Sequence, residues 1–213
     1  MYKSPCNLGL YFRFILVWFT FFIPSSYLNS QENWHLVKTD ENLKVYTSPE
    51  KGSSIRKFKI TTLCKGQLSV AEKIFRNLTA MPEWYEGVKS AHLTKRISDN
   101  EAEYTLIYGM PFPLVDRVAT IRGTMEKSDE SILIKTAHFP SDIANKYSKL
   151  VRVTRIWSTW EINKKSEGRL EITHTGFMDP SGPVPDWLIN LKLTDVPVKT
   201  LKNLQKILQE SGN

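Results

Sequence analysis

Apolar and polar residues alternate with a period of two through Val88 to Ile97, Glu103 to Tyr108, Arg117 to Glu126, Ile132 to Phe139, Val151 to Ile162 and Leu170 to Met178. Such alternation puts one side of a segment against a core and the other in water, which is the behaviour of a strand. Short polar stretches separate these runs: Asp99-Asn100, Ser128-Asp129-Glu130, Pro140-Ser141-Asp142 and Lys164 to Gly168. Strands joined in this way predict an antiparallel meander with no parallel crossover. Upstream, Leu43 to Thr47 and Ile55 to Cys64 read as two more strands about a turn at Ser48 to Ser53, and Gln31 to Lys38 reads as a short helix.

Helical spacing takes over in two places. Ser69, with Glu72 three residues on, is set to cap a helix that carries Val70, Ile74, Phe75 and Leu78, and Met81 to Tyr85 opens another short turn. After the stiff run Asp179-Pro180-Ser181-Gly182-Pro183-Val184-Pro185, the residues Trp187, Leu188, Leu191, Val198, Leu201, Leu204 and Leu208 form one apolar stripe of a helix ending near Gln209. Pro197 predicts a kink or break near Asp195-Val196, because it removes a backbone hydrogen bond and crowds the preceding turn. A long meander followed by a helix defines an α+β domain.

The first thirty residues differ from the rest. Lys3 precedes an uncharged apolar run from Phe14 to Ile23, closed by Pro24-Ser25-Ser26. That is the pattern of a secretory signal, and the run is shorter than the roughly 18 to 20 residues of a spanning helix. The chain therefore divides into residues 1–30, a cleaved signal or an uncleaved membrane anchor, and residues 31–213, one domain that is secreted or periplasmic after cleavage. The whole chain carries a net charge of +7, and without Lys3 and Arg13 the domain stands at +5. No block of like charges occurs, which argues against nucleic acid as a partner and leaves weak, transient attraction to a membrane surface. Cys64 is the only cysteine after residue 30, so no internal disulfide can form there, and its place in an alternating run suits a buried, inert thiol.

Several runs resemble the START domain, the steroidogenic-acute-regulatory-protein-related lipid-transfer family. They are Trp34 followed by Leu43-Lys44-Val45-Tyr46, then Met81-Pro82-Glu83-Trp84, then Met110-Pro111-Phe112-Pro113-Leu114-Val115-Asp116-Arg117, then Trp160-Glu161-Ile162, and finally Asp179 to Pro185 with Trp187-Leu188-Ile189-Asn190. The chain departs from the family pattern at Val118 and Tyr85, where the family usually has aspartates. The resemblance implies a helix-grip fold, a curved antiparallel sheet wrapped around a long C-terminal helix with a hydrophobic tunnel between them. It further implies non-catalytic binding or transfer of a lipid or sterol-like molecule, by a monomer without cofactor or metal. The alternatives are a cyclase or aromatase acting on a polyketide-like substrate, and a partner-binding module with a filled interior.

Eight residues are candidates to line the tunnel. Leu170, Ile172, His174, Gly176 and Met178 share the more apolar face of the last strand, which turns His174 inward, either to bond a ligand head group or to sit in the core satisfied by a neighbouring strand. Tyr104 and Tyr108 share a strand face with Leu106 and bring hydroxyls that need partners when buried. Trp84 and Trp160 fall in family runs, and Trp187 and Leu191 lie on the stripe of the last helix. Arg117 is either a binder of an acidic head group or half of an ion pair, though not with Asp116, which points to the opposite face. Catalytic signatures are absent: no G-x-S-x-G, no phosphate loop, no H-E-x-x-H, and histidines scattered at 35, 92, 138 and 174.

Overall fold

The computed structural model describes residues 33–211, so the apolar N-terminal run lies outside the described residues. In chain order the strands are β1 (His35–Asp40), β2 (Leu43–Pro49), β3 (Arg56–Lys65), β4 (Val88–Ser98), β5 (Glu101–Tyr108), β6 (Arg117–Lys127), β7 (Ser131–His138), β8 (Val151–Arg152), β9 (Arg155–Lys165) and β10 (Arg169–Asp179). The helices are α1 (Leu68–Arg76), α2 (Met81–Trp84), α3 (Asp186–Lys192) and α4 (Asp195–Glu210). The sheet runs in the order β1-β2-β3-β10-β9-β7-β6-β5-β4, with β8 beside β6. This is the α+β helix-grip arrangement: a curved antiparallel sheet with the C-terminal helices against its concave face.

Four local expectations change. The segment read as a helix before residue 38 is the edge strand β1, whose register against β2 starts at His35 opposite Thr47. Ladder bonds outweigh its weak helical spacing, and Leu36 and Val37 are exposed. Ser69 does not cap α1, because the helix begins two residues earlier than that cap requires, with Gln67 at the cap position. Glu72 instead accepts hydrogen bonds from Arg76 at 2.9 Å and Lys127 at 2.6 Å. The expected long strand from Val151 is two pieces, and the first, β8, pairs parallel with Arg117 and Val118, so the sheet is not purely antiparallel. Finally, the C-terminal helix breaks at Leu193-Thr194, two residues before the expected point. Pro197 then falls in the first turn of α4, where its missing N–H needs no helical partner.

The concave face is built in rows set by the strand register. Across five strands stand Met125, Ile134, Trp160, His174 and Ile60, each opposite the next. Onto this layer α4 lowers Leu201, Leu204 and Leu208, all fully buried. Phe75, Trp84 and Trp160 meet edge to face at 5.1 to 6.0 Å between ring centres, joining α1 and α2 to the sheet. Cys64 lies in this core, and burial pushes its thiol pKa up to about 11. At the sheet margin β4 carries three register shifts, irregularities that blunt an open edge.

Candidate functional site: an apolar cavity beneath the C-terminal helices

Packing is complete under the second half of α4 and incomplete under α3 and the start of α4. The space left there, about 580 Å³, lies between β4–β7, β9 and β10 on one side and α2, α3 and the residue 110–114 loop on the other. Its walls are apolar and aromatic, with Leu106, Ile121, Met125, Trp160, Leu188 and Leu193 among them. Charged groups such as Glu86, Arg96, Glu101 and Lys192 occur only where the wall reaches solvent.

Inside, the polar groups are neutral. Tyr85, Tyr104 and Tyr108 line the cavity, and no described residue hydrogen-bonds their hydroxyls. Burial pushes all three phenol pKa values well above the ordinary range, and for Tyr104 and Tyr108 the neighbouring tyrosines add to the effect. On the same sheet face as Tyr104, the hydroxyls of Thr136 and Ser158 are 2.9 Å apart. Such a site can enclose an apolar molecule and offer hydrogen bonds to an oxygen on it; it provides no charge inside to neutralise an ion.

Two loops frame the opening near α3, and Arg117 ties them together. Its Nε donates to Pro180 O at 3.0 Å and Nη2 to Ser181 O at 3.0 Å, while Nη1 donates to Val115 O. The positive φ of Ser181 (56°) and Gly182 (76°) turns the 179–185 loop about these carbonyls. Asp116, on the other strand face, accepts from Met110 N at 3.0 Å and from Lys89 Nζ at 2.8 Å. Asn190 anchors α3, accepting from Arg56 N at 2.8 Å and donating to Ser54 O at 2.9 Å.

The eight candidates separate. Trp84, Tyr104, Tyr108 and Trp160 line the cavity. His174 points inward, as the strand alternation requires, but stands behind Trp160, stacked on it at 3.6 Å and edge-on to Phe58 at 4.9 Å. It is a core histidine, yet no neighbouring strand satisfies it: neither ring nitrogen has a hydrogen-bond partner among the described residues, and burial pushes its pKa down to about 3. Arg117 shares a strand face with Ile121 and Gly123 but lies outside the cavity lining, and three backbone carbonyls, in place of a head group or an ion-pair partner, take its donors. Trp187 and Leu191 lie on the outer side of α3, 68% and 66% exposed. Separating α3 from α4 turns Trp187 and Leu191 off the sheet, while Leu188 of the same stripe and Leu193 line the cavity. Sequence reasoning passed over Tyr85, Thr136, Ser158 and Gly123 as lining residues. Gly123 was the readable signal, since glycine inside a strand marks a close approach.

A curved sheet gripping a helix pair over a lined apolar cavity defines a class of proteins that enclose hydrophobic molecules. The chain belongs to the START domain family, whose profile matches residues 25–213. It is similar to an uncharacterized protein of Pseudomonas aeruginosa, 26% identical over 179 residues that cover 84% of this chain and 88% of that protein. Among solved structures, a STAR-related lipid transfer protein of Xanthomonas axonopodis superposes with a TM-score of 0.73 at 26% identity, over 83% of this chain and 98% of that one. Human StAR-related lipid transfer protein 5 superposes with a TM-score of 0.72 at 13% identity, over 84% and 88%. The Zhui aromatase/cyclase of Streptomyces sp. R1128 gives 0.51 at 10% identity, over 74% and 93%. The last two likenesses show the fold alone.

Proposed function

We propose that the protein binds one lipid-like apolar molecule in this cavity and carries it, without covalent chemistry, to or from a membrane surface. The carrying observation is a cavity of about 580 Å³ with apolar and aromatic walls, whose interior polar groups are neutral. Each methylene taken from water there contributes about 0.8 kcal/mol, so a chain or ring system of ordinary lipid size is held by burial alone. The side chains that could move a proton for a cyclase, His174 and the tyrosines, are poorly suited to it: His174 stacks against Trp160 outside the cavity lining with its pKa pushed down to about 3, and burial pushes those of the tyrosines up. Mass spectrometry of protein purified from its native host and denatured in organic solvent tests the reading. An apolar molecule in near-stoichiometric amount supports it; none, together with no uptake from a lipid panel, overturns it.

Membrane contact belongs to the same proposal. Phe112 is 97% exposed and Val115 50%, next in sequence to the lining residues Pro111 and Leu114, and Trp187 and Leu191 are exposed on α3 beside the lining residues Leu188 and Lys192. Exposed Lys192 and the net positive domain suit an anionic bilayer. Phe112→Ser with Trp187→Ser is expected to reduce co-sedimentation with phosphatidylglycerol vesicles several-fold at unchanged Tm. Equal sedimentation of variant and wild type counts against docking through this face. We further propose that the protein acts as a monomer after export, which N-terminal sequencing and sedimentation of the mature protein check.

A further inference from the structure

One row of the concave sheet face is small where its neighbours are large. Ala102 stands opposite Gly123, Gly123 opposite Thr136, Thr136 opposite Ser158, and Ser158 opposite Gly176, so five adjacent strands place small residues side by side. All five line the cavity. The row on one side holds Met125, Ile134, Trp160 and His174, and on the other stand Tyr104 and Ile121 on β5 and β6 and Ile156 and Met178 on β9 and β10. The register therefore cuts a trough across the cavity floor. At one end the Phe58 ring uses the room left by Gly176, where an added Cβ would lie 2.8 Å from Cζ; at the other the Tyr104 hydroxyl leans over Gly123, 3.3 Å from an added Cβ.

Two further observations give the trough a chemistry. Tyr104 is more than nine-tenths buried, and no described residue accepts or donates to its hydroxyl. Near the middle, the Thr136 and Ser158 hydroxyls sit 2.9 Å apart and retain capacity for a third partner. No ionised side chain occupies the row. At about 30 Å³ per small group in a condensed phase, 580 Å³ holds roughly twenty non-hydrogen atoms, fewer than a two-chain phospholipid contains.

We propose that the trough is the specificity element of the cavity, and that it selects a single-chain or fused-ring apolar molecule bearing an uncharged oxygen, which the hydroxyls of Tyr104, Thr136 and Ser158 engage. The inference rests on the cavity being a ligand site and adds which ligand class it accepts. A deprotonated fatty acid is disfavoured because no cation faces its carboxylate inside, and a two-chain phospholipid because its volume exceeds the space.

Displacement of the neutral fluorophore N-phenyl-1-naphthylamine tests this with four competitors: dodecan-1-ol, dodecane, dodecanoate at pH 8, and dilauroyl phosphatidylcholine. Dodecan-1-ol is expected to compete best. Tyr104→Phe and Thr136→Val are each expected to weaken dodecan-1-ol about fivefold while leaving dodecane within about twofold. Gly123→Val, which fills the trough, is expected to weaken both competitors, with circular dichroism reporting that the variant is folded. If Gly123→Val does not fold, the two hydroxyl-deletion variants decide alone. Stronger competition by dodecanoate or phosphatidylcholine, or an equal loss of alcohol and alkane in Tyr104→Phe, overturns the trough as selector while leaving the cavity as a binding site. Wild type that binds neither fluorophore nor any competitor overturns both.

Discussion

His174 is held neutral by burial among apolar side chains, the rings of Trp160, Phe58 and Tyr85 foremost. In the unfolded chain its imidazole takes a proton as pH falls through 6.5, whereas the folded protein refuses that proton until about 3. The folded state therefore loses stability as pH drops through that window, by up to about 1.4 kcal/mol per pH unit. The urea midpoint of wild type is expected to fall more between pH 6.5 and 4 than that of His174→Phe; parallel slopes would remove this residue as the source. Arg117 makes the complementary case, a buried charge satisfied by carbonyls. Lysine offers one nitrogen in place of a fork, so Arg117→Lys is expected to cost about 2 kcal/mol in denaturant unfolding, and an unchanged midpoint would show that the two loops hold without the fork. Alternation in sequence was enough to turn His174 inward. That Trp160 stands between it and the cavity depends on cross-strand register, which alternation does not carry.

The two C-terminal helices show what a stripe of leucines can and cannot specify. Leu204 and Leu191 lie on one helical stripe in the sequence, yet the first is fully buried and the second 66% exposed. The break at Leu193-Thr194 rotates one half against the other. Leu204→Ala is accordingly expected to cost about 3 kcal/mol, as a cavity opens under α4, while Leu191→Ala stays within about 0.5 kcal/mol. Thermal unfolding of the pair measures the difference, and similar losses would mean that α3 packs as tightly as α4. The proline was legible as a break because its chemistry is local. At the α3 side of the break, Asn190 grips Ser54 and Arg56 across more than 130 residues, a contact with no local trace.

At the scale of the whole molecule, a ligand that binds only the folded state stabilises it by mass action, about 2.7 kcal/mol at one hundred times its Kd. Stripping the extracted apolar molecule and adding it back at that excess is expected to lower and then restore Tm by several degrees, and a Tm indifferent to both steps argues against a cavity ligand. The sequence by itself determined a run of antiparallel strands followed by an apolar-striped C-terminal helix, because the periods of two and 3.6 and the proline and glycine punctuation are local properties, and its resemblance to the START family implied that the sheet curves around that helix. It also placed four cavity residues, Trp84, Tyr104, Tyr108 and Trp160, through alternation and family runs. Only the tertiary structure decided that His174 and Arg117 support the site from outside it, that Trp187 and Leu191 face solvent, and that small residues from five separate strands fall into one trough. Those outcomes depend on which residue stands opposite which across the sheet, a relation between distant segments that exists only once the strands have paired.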